Sequence, residues 1–230
     1  MNLGALLAKI FEKIPERPIK NDIRYFLAFN RFMPSLVTSI SPVKGYELYY
    51  NLKEGDVVVD AGAYPGDYAV FAARKVGPKG KVIAFEPDEK NRKILARNLA
   101  KDKLNNIIIV PKGLWSKKTT LKFSDSDGLH TTIFSDIGSQ KIDVVKLDDE
   151  LKKLKIKKVD VIKMDIEGAE VEAIKGCKKT LQENKVKVAI ASYHIVDGKR
   201  TSYIMEDYLS KLGYNVKSDF PKHLTTYAWK

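Results

Sequence analysis

The sequence predicts an α/β protein with a mostly parallel, doubly wound sheet. Short apolar runs alternate with segments of helical spacing along most of the chain. The first of these runs ends in a glycine-containing turn that leads into a helix. Strands that alternate with helices pair in parallel through right-handed crossovers. At 230 residues, of which 44% are hydrophobic, the chain is long enough for one such domain with additions.

The first half of the chain begins this alternation. Apolar runs rich in β-branched residues predict strands at Val57–Ala61, Lys81–Phe85 and Ile107–Val110. Helical spacing predicts the two intervening helices at residues 68–75 and 88–101.

The second half resumes the alternation after an inserted hairpin. The hairpin is predicted from residues 121–123 and 131–134, which flank the turn-forming pair Asp127 and Gly128. The elements predicted next are a strand at residues 141–145, a short helix from Asp148, a strand at residues 159–164, a helix over residues 167–181, a strand at residues 186–191 and a helix over residues 201–212 that ends at Gly213. An antiparallel pair at residues 214–217 and Thr225–Trp229 is expected to close the sheet.

Two regions are predicted within the chain. Residues 1–50, interrupted by prolines, are predicted to form an N-terminal helical extension that is either a lid over a ligand cleft or a packing element, and residues 51–230 are predicted to form the ligand-binding domain. Residues 3–14 are apolar on one face, which predicts an amphipathic helix. Charged residues interrupt the apolar stretch, so no membrane insertion is predicted. The single cysteine, Cys177, excludes an internal disulfide and favours a cytoplasmic protein.

The formal net charge of +12 raises the question of an anionic partner. Much of the excess is lysine in a run at residues 152–158, without the interleaved aromatic residues of a single-strand-binding groove. The sequence therefore favours a solvated face, and nucleic acid is the less favoured partner.

The turn after the first strand is a candidate ligand loop, because ligands of doubly wound sheets lie beyond the carboxyl ends of the strands. It reads Asp60-Ala61-Gly62-Ala63-Tyr64-Pro65-Gly66. Gly62 and Gly66 permit a sharp turn and a close approach to a ligand, and the helix start offers free N–H groups to a carboxylate. A plain strand-to-helix turn would explain the glycines equally well.

Glu86 favours the ligand interpretation. It follows the second strand, where a carboxylate can accept hydrogen bonds from both ribose hydroxyls of a nucleoside. The dinucleotide fingerprint G-x-G-x-x-G does not fit, because it requires glycine where Asp60 and Pro65 stand. The loop and Glu86 together predict a nucleoside-containing ligand that is not a nicotinamide dinucleotide.

Three blocks of the sequence resemble the FkbM-type methyltransferases. They read VVDAGAYPGDYAVFAA, VIAFEPDEKNRKILARNL and, most specifically, VDVIKMDIEGAEVEAIKG, and the resemblance extends over residues 57–213. It implies a Rossmann-like class I methyltransferase fold with S-adenosylmethionine as the cofactor. It also implies O-methylation of a small molecule, such as a sugar or another alcohol.

The resemblance further implies which residues bind the cofactor, all of them near the ends of predicted strands. Those expected at its methionine end, its ribose and its adenine are, in that order, Asp60, Gly62, Ala63, Tyr64 and Gly66; Glu86 and Pro87; and Gly113 and Leu114. Asp165, after the strand at residues 159–164, is expected beside the cofactor as well.

His194 is the candidate general base. An alcohol acceptor must lose a proton during or after its attack, and imidazole titrates near neutrality. Members of the family often place a glutamate before a histidine after the fifth strand, whereas this chain reads Ala191-Ser192-Tyr193-His194 and keeps the histidine alone. A histidine that is only hydrogen-bonded at a strand end is the alternative.

Asp165, Glu167 and Glu170 form an acidic cluster after the strand at residues 159–164. Asp165 and Glu167 are predicted to contact the substrate or to accept its proton, so both are candidate catalytic residues. The alternatives are stabilisation of a helix N-terminus and coordination of a divalent metal. Because no run of aspartate or histidine completes a ligand set, no metal is predicted.

Two alternatives to a small-molecule methyltransferase stay open. Methylation of RNA at ribose or a ring nitrogen agrees with the charge, although Asp165-Ile166-Glu167-Gly168 stands where amino-methylating enzymes carry an Asn-Pro-Pro-aromatic loop. A protein that binds the cofactor without turnover is the other alternative. Neither the identity of the acceptor nor an oligomeric state follows from the residues.

Overall fold

The structure is a computed structural model that describes residues 42–100, 102–123, 140–196, 198–220 and 223–230. Its strands are β1 (Val57–Ala61), β2 (Lys81–Phe85), β3 (Ile107–Val110), β4 (Gly113–Leu114), β5 (Thr119–Phe123), β6 (Gln140–Val145), β7 (Val161–Met164), β8 (Lys187–Ala191), β9 (Ile195–Val196), β10 (Lys199–Arg200), β11 (Asn215–Asp219) and β12 (Thr225–Trp229). Its helices are a 3₁₀ helix (Pro42–Glu47), α1 (Asp67–Val76), α2 (Glu89–Ala100), α3 (Leu147–Lys153), α4 (Glu170–Lys175), α5 (Lys178–Glu183) and α6 (Thr201–Lys211).

Within the described ranges, a seven-stranded sheet forms the centre of the fold, with the order β11-β12-β8-β7-β1-β2-β3. β1 pairs in parallel with β2 and β7, and β3 and β8 extend the parallel pairing on either side. β12 runs antiparallel between β8 and β11. The predicted fold class, a mostly parallel sheet with an antiparallel C-terminal edge, is confirmed.

The central strands bury side chains on both faces of the sheet, as their continuous apolar runs require. Val58 and Val82 pack with α1 and α2 on one face. Val59 and Ile83, the next residue of each strand, pack with α3, α4, α5 and α6 on the other face. Because each buried aliphatic side chain contributes about 1.5–3 kcal/mol, the ends of these strands are held firmly in place.

The 3₁₀ helix packs into the core on the α1 face. Tyr46 and Tyr50 are buried, and the rings of Tyr46 and Tyr68 meet edge to face with centroids 5.6 Å apart. These residues belong to the predicted N-terminal extension, whose remainder, residues 1–41, lies outside the described residues. The described end of the extension is therefore a packed part of the ligand-binding domain.

A smaller, three-stranded sheet has the order β4-β6-β5. β6 pairs in parallel with β4 and antiparallel with β5, so that Leu121 lies opposite Ile142. The predicted turn at Asp127 and Gly128 and the second arm at residues 131–134 lie outside the described residues. In the part of the chain that is described, the partner of β5 is β6.

The helices are short, and one that was predicted as continuous is broken. Instead of one helix over residues 167–181, the structure has α4 and α5, so this prediction was wrong. The chain turns at Gly176, where a Cβ would meet the carbonyl oxygen of Trp115 at 2.1 Å. The Asp148 carboxylate accepts hydrogen bonds from two backbone N–H groups of α5, which stabilises the new helix start.

Among the described helices, none has the length and apolar composition that crossing a bilayer requires.

Candidate functional site

A cleft opens where the carboxyl ends of β1, β2 and β7 meet, the edge at which doubly wound sheets bind ligands. The predicted cofactor-binding and catalytic residues that line this cleft are Gly62, Tyr64, Glu86, Pro87, Gly113, Leu114, Asp165 and Glu167. Asp88, Asn91 and Ile166 line it as well. The fold thus brings strand ends that are distant in sequence to one cleft.

The other predicted residues lie behind the cleft wall. Asp60 and Ala63 belong to the loop itself, and both are buried. Gly66 caps the start of α1 with a φ of 113°. His194, at 8% exposure, is buried behind Glu167. These residues shape the site from below instead of forming its surface.

Gly62 is required by the packing of two strand ends. Its φ is 75°, and a Cβ at this position would lie 1.9 Å from the carbonyl oxygen of Asp165. The N–H groups of Gly62 and Ala63 both donate to the carbonyl oxygen of Phe85, and that of Asp165 donates to Ala61. The glycine predicted for close approach to a ligand therefore permits, first of all, a close approach of the end of β7.

A buried ion pair supports the loop from below. Lys163 Nζ lies 3.0 Å from Asp60 Oδ1 and donates to the carbonyl oxygen of Gly62 at 2.9 Å. The two side chains are 6% and 0% exposed. Burial raises the pKa of Asp60 to about 6, against the opposing charge of Lys163. Burial lowers the pKa of Lys163, but the charges of Asp60 and Asp165 and the hydrogen bond to Asp60 together outweigh it and raise that pKa. Both groups are therefore charged at neutral pH.

Glu86 is held at the end of β2 by backbone donors. The N–H of Tyr64 donates to Oε2 at 3.3 Å, and that of Asp88 donates to Oε1 at 3.0 Å. Burial raises the pKa of Glu86 to about 7, although these two hydrogen bonds lower it. In its ionised form, a carboxylate in this position can accept hydrogen bonds from vicinal hydroxyls of a ligand.

Asp165, at the end of β7, is surrounded by donors. The hydroxyl of Tyr46 donates to Oδ2 at 2.9 Å, and that of Tyr193 donates to Oδ1 at 3.3 Å. His223 Nε2 lies 3.5 Å from Oδ2. Burial raises the pKa of Asp165, but the hydrogen bond to His223 and the charge of Lys163 outweigh it and hold that pKa below its usual range. Asp165 is therefore a fixed, ionised carboxylate on the cleft wall.

His194 lies between two carboxylates. Its Nε2 is 3.3 Å from Glu167 Oε2, and its Nδ1 is 3.3 Å from Glu170 Oε1. Burial lowers the pKa of His194, but the contacts with Glu167 and Glu170 outweigh it and raise the pKa to about 10. The side chain of His194 is 7% exposed and that of Glu167 is 45% exposed. Of this pair, Glu167 lines the cleft and His194 does not; Asp165, the third predicted catalytic residue, lines it as well.

Glu167 has an uncommon backbone conformation. Its φ is 53°, a value that few residues other than glycine adopt and that recurs at functional sites. It precedes α4, so stabilisation of a helix N-terminus does not explain it. Glu170 does begin α4, and its Oε1 accepts the N–H of Ile166 at 2.9 Å. Glu167 lines the cleft, and its Oε2 lies 3.3 Å from His194 Nε2 behind it.

The side chains that support the loop and Asp165 from behind the cleft wall, Lys163, Tyr46, Tyr193 and His223, were not predicted from the sequence. Lys163 had a visible signal, because a lysine within an apolar strand needs a buried partner. Tyr46, Tyr193 and His223 had none, since they come from separate segments that meet only at Asp165. Such convergence depends on the tertiary fold and leaves no spacing pattern in the sequence.

Comparison with known proteins agrees with this architecture. A family model described as the methyltransferase FkbM domain matches residues 60–216. Methyltransferase sdnD of Sordaria araneosa is 30% identical over 55% of this chain and 62% of its own length. A probable cobalt-precorrin-6B C(15)-methyltransferase of Sulfurisphaera tokodaii is 28% identical over 66% of this chain and 73% of its own. The chain thus spans less than two thirds of the first of these relatives.

Solved structures share the fold at lower identity. The crystal structure of methyltransferase FkbM from Methylobacillus flagellatus superposes with a TM-score of 0.61 and 21% identity, covering 92% of this chain and 60% of that one. Fibrillarin from Aeropyrum pernix, solved with S-adenosyl-L-methionine, gives a TM-score of 0.54 and 14% identity over 81% of this chain and 72% of its own. Because the family model covers more than half of the sequence, the chain belongs to the FkbM family of S-adenosylmethionine-dependent methyltransferases.

Proposed function

We propose that the chain transfers the methyl group of S-adenosylmethionine to a hydroxyl of a small-molecule acceptor. The observation that carries this proposal is the acidic lining of the cleft, to which Glu86, Asp88, Asp165 and Glu167 contribute. A concave surface of this charge attracts a sulfonium cation, accepts hydrogen bonds from hydroxyl groups and repels polyanions.

The cofactor is proposed to lie along the ends of β1 and β2. Its ribose would donate to Glu86, and its methionine end would lie at the loop around Gly62 and Tyr64. Gly113 and Leu114 support a position for the adenine, because both line the cleft, and a Cβ on Gly113 would crowd Val144 of the same wall at 3.1 Å. Asp165 and Glu167, which line the same cleft, would then be available to the acceptor.

Methyl transfer from a sulfonium is an in-line displacement, in which an acceptor oxygen bonds to the methyl carbon as the sulfur–carbon bond breaks. The hydroxyl proton must then pass to a base. Glu167 is the proposed base, because its carboxylate is half-exposed and lines the cleft. His194 is proposed to position Glu167 through Nε2, and Asp165 to orient the acceptor. The sequence-based expectation that His194 takes the proton itself is replaced by this indirect role.

Replacement of Glu167 by glutamine is expected to lower kcat by about 100-fold, the usual contribution of a general base. The affinity for S-adenosylmethionine should stay unchanged, because the proposed ribose and adenine contacts are retained. Transfer of labelled methyl groups to a panel of sugars, other alcohols and RNA measures the rate, with calorimetry for the affinity. Glu172→Gln is the matched control, since Glu172 contacts Ser116 and Lys175 outside the cleft. An unchanged kcat in Glu167→Gln would exclude this residue as the base.

The lysine run does not favour RNA as the acceptor. Residues 154–158 precede β7, whose opposite end carries Asp165, so the run lies at the other edge of the sheet from the cleft. Lys153 forms an ion pair with the nearby Glu150, and Lys158 forms one with the nearby Asp160. Binding of RNA would fall steeply with added salt, because phosphate contacts release counterions.

The buried, free thiol of Cys177 is compatible with the cytoplasm, in which we place the reaction.

A further inference from the structure

We propose that Asp165, Glu170 and His194 form a binding site for one divalent transition-metal ion beside the cleft. A carboxylate oxygen of each acid and a ring nitrogen of His194 all lie within 4.8 Å of one another. Ligand atoms on a common ion with bonds of about 2.1 Å are separated by about 3 Å in cis and about 4.2 Å in trans positions. The 4.8 Å limit exceeds the trans separation by about 0.6 Å, a difference that small side-chain rotations can close.

Two buried polar atoms of this cluster lack a hydrogen-bond partner. Within the described residues, no donor reaches Glu170 Oε2, and His194 Nδ1 makes no hydrogen bond. The side chain of Glu170 is fully buried and that of His194 is 7% exposed. Nδ1 does lie 3.3 Å from Glu170 Oε1, but outside hydrogen-bonding geometry. Unpartnered polar atoms in a buried site are costly, and a cation bound between them would satisfy both.

The remaining contacts orient the proposed ligands. His194 Nε2 faces Glu167 Oε2 at 3.3 Å, which matches the usual arrangement in which the second nitrogen of a metal-bound histidine donates to a carboxylate. Asp165 accepts hydrogen bonds from the hydroxyls of Tyr46 and Tyr193. A carboxylate oxygen has two lone pairs, so these hydrogen bonds leave room for a metal bond.

The ligand chemistry indicates the class of ion. Imidazole nitrogen combined with carboxylate oxygen favours Mn²⁺, Fe²⁺ or Zn²⁺ over Ca²⁺ and Mg²⁺, which prefer oxygen alone. No run of ligands is visible in the sequence, because β8 brings His194 to acids that follow β7. The role of the ion, which is to bind oxygen atoms of the acceptor, rests on the proposed function. The site itself rests on the geometry.

To test the site, Mn²⁺ is added to the chelator-treated full chain without S-adenosylmethionine. Loss of the electron paramagnetic resonance signal of free Mn²⁺ measures the binding. We expect one ion per chain. Glu170→Gln keeps the shape but removes the charge and should weaken the affinity by at least about tenfold, as should His194→Gln. Glu172→Gln, on the same helix but outside the cluster, should bind Mn²⁺ like the wild type.

Absence of Mn²⁺ binding by the wild type would overturn the proposed site, as would equal affinities of the wild type and both folded variants. Circular dichroism of each variant reports whether that variant is folded. If a variant is not folded, the wild-type measurement alone decides whether the site exists. A separate calorimetric titration with S-adenosylmethionine distinguishes the two proposals. Cofactor binding without metal binding contradicts the metal site alone, and metal binding without cofactor binding contradicts the proposed function alone.

Discussion

Lys163→Met is expected to destabilise the protein by about 3–5 kcal/mol, because removing one partner of a buried ion pair leaves the other as an uncompensated buried charge. Asp60 is fully buried, and Lys163 supplies the cation that faces it. The substitution also removes the donor to the carbonyl oxygen of Gly62, so the loop above the pair loses its support. Thermal unfolding should show this as a fall in Tm of about 10 °C or more for a domain of this size.

A second substitution tests the cause. Replacing both partners, in Asp60→Asn with Lys163→Met, should restore much of the lost stability, because no unpaired charge is then buried. Lys152→Met changes an exposed lysine of α3 and should alter the free energy of unfolding by less than about 0.5 kcal/mol. Equal stabilities of Lys163→Met and Lys152→Met would show that the ion pair does not support the fold.

Gly62→Ala is expected to abolish cofactor binding and to destabilise the protein by about 2–4 kcal/mol, because left-handed backbone strain and an overpacked contact add. The added Cβ would lie 1.9 Å from the carbonyl oxygen of Asp165, and a backbone atom cannot rotate away as a side chain can. The loop and the end of β7 must therefore separate, which displaces Asp165 and Tyr64 in the cleft. Urea unfolding and calorimetry with S-adenosylmethionine measure the two effects.

Gly55→Ala is the matched control for Gly62→Ala. Gly55 also has a positive φ, 85°, but a Cβ there would meet nothing within 4 Å. Gly55→Ala should therefore lower the free energy of unfolding only by the cost of the left-handed backbone conformation, about 1–2 kcal/mol, and should leave cofactor binding intact. If both variants lose the same stability and bind the cofactor equally, the contact between Gly62 and Asp165 does not matter.

The parts of the fold that follow from local patterns were predictable. β1, β2, β3 and β12 have the predicted bounds, because short apolar runs specify buried strands directly. Gly62 and Glu86 were also identified, since the loop and the next strand end are short-range features. Both line the cleft as expected.

The parts that depend on distant segments were not predictable. The break between α4 and α5 depends on the approach of Trp115 to Gly176, which no helical periodicity records. The placement of His194 behind Glu167 depends on how β8 lies against β7. The sequence therefore identifies this histidine as a candidate base, a role that stays a prediction, and does not reveal that the half-exposed Glu167 lies in front of it.

The central claim is that the cleft binds S-adenosylmethionine through Glu86. Calorimetric titration of the wild type and of Glu86→Gln, at about pH 8 and about pH 6 with NAD as a control ligand, tests it most directly. Because the pKa of Glu86 is about 7, its carboxylate is mostly ionised at the higher pH and mostly protonated at the lower. Wild-type affinity should therefore be about tenfold higher at the higher pH, since only the ionised form accepts both ribose hydroxyls.

Glu86→Gln should bind S-adenosylmethionine weakly at both pH values, without this dependence, and neither protein should bind NAD. Failure of the wild type to bind S-adenosylmethionine, or equal affinity of the wild type and Glu86→Gln, would contradict the account.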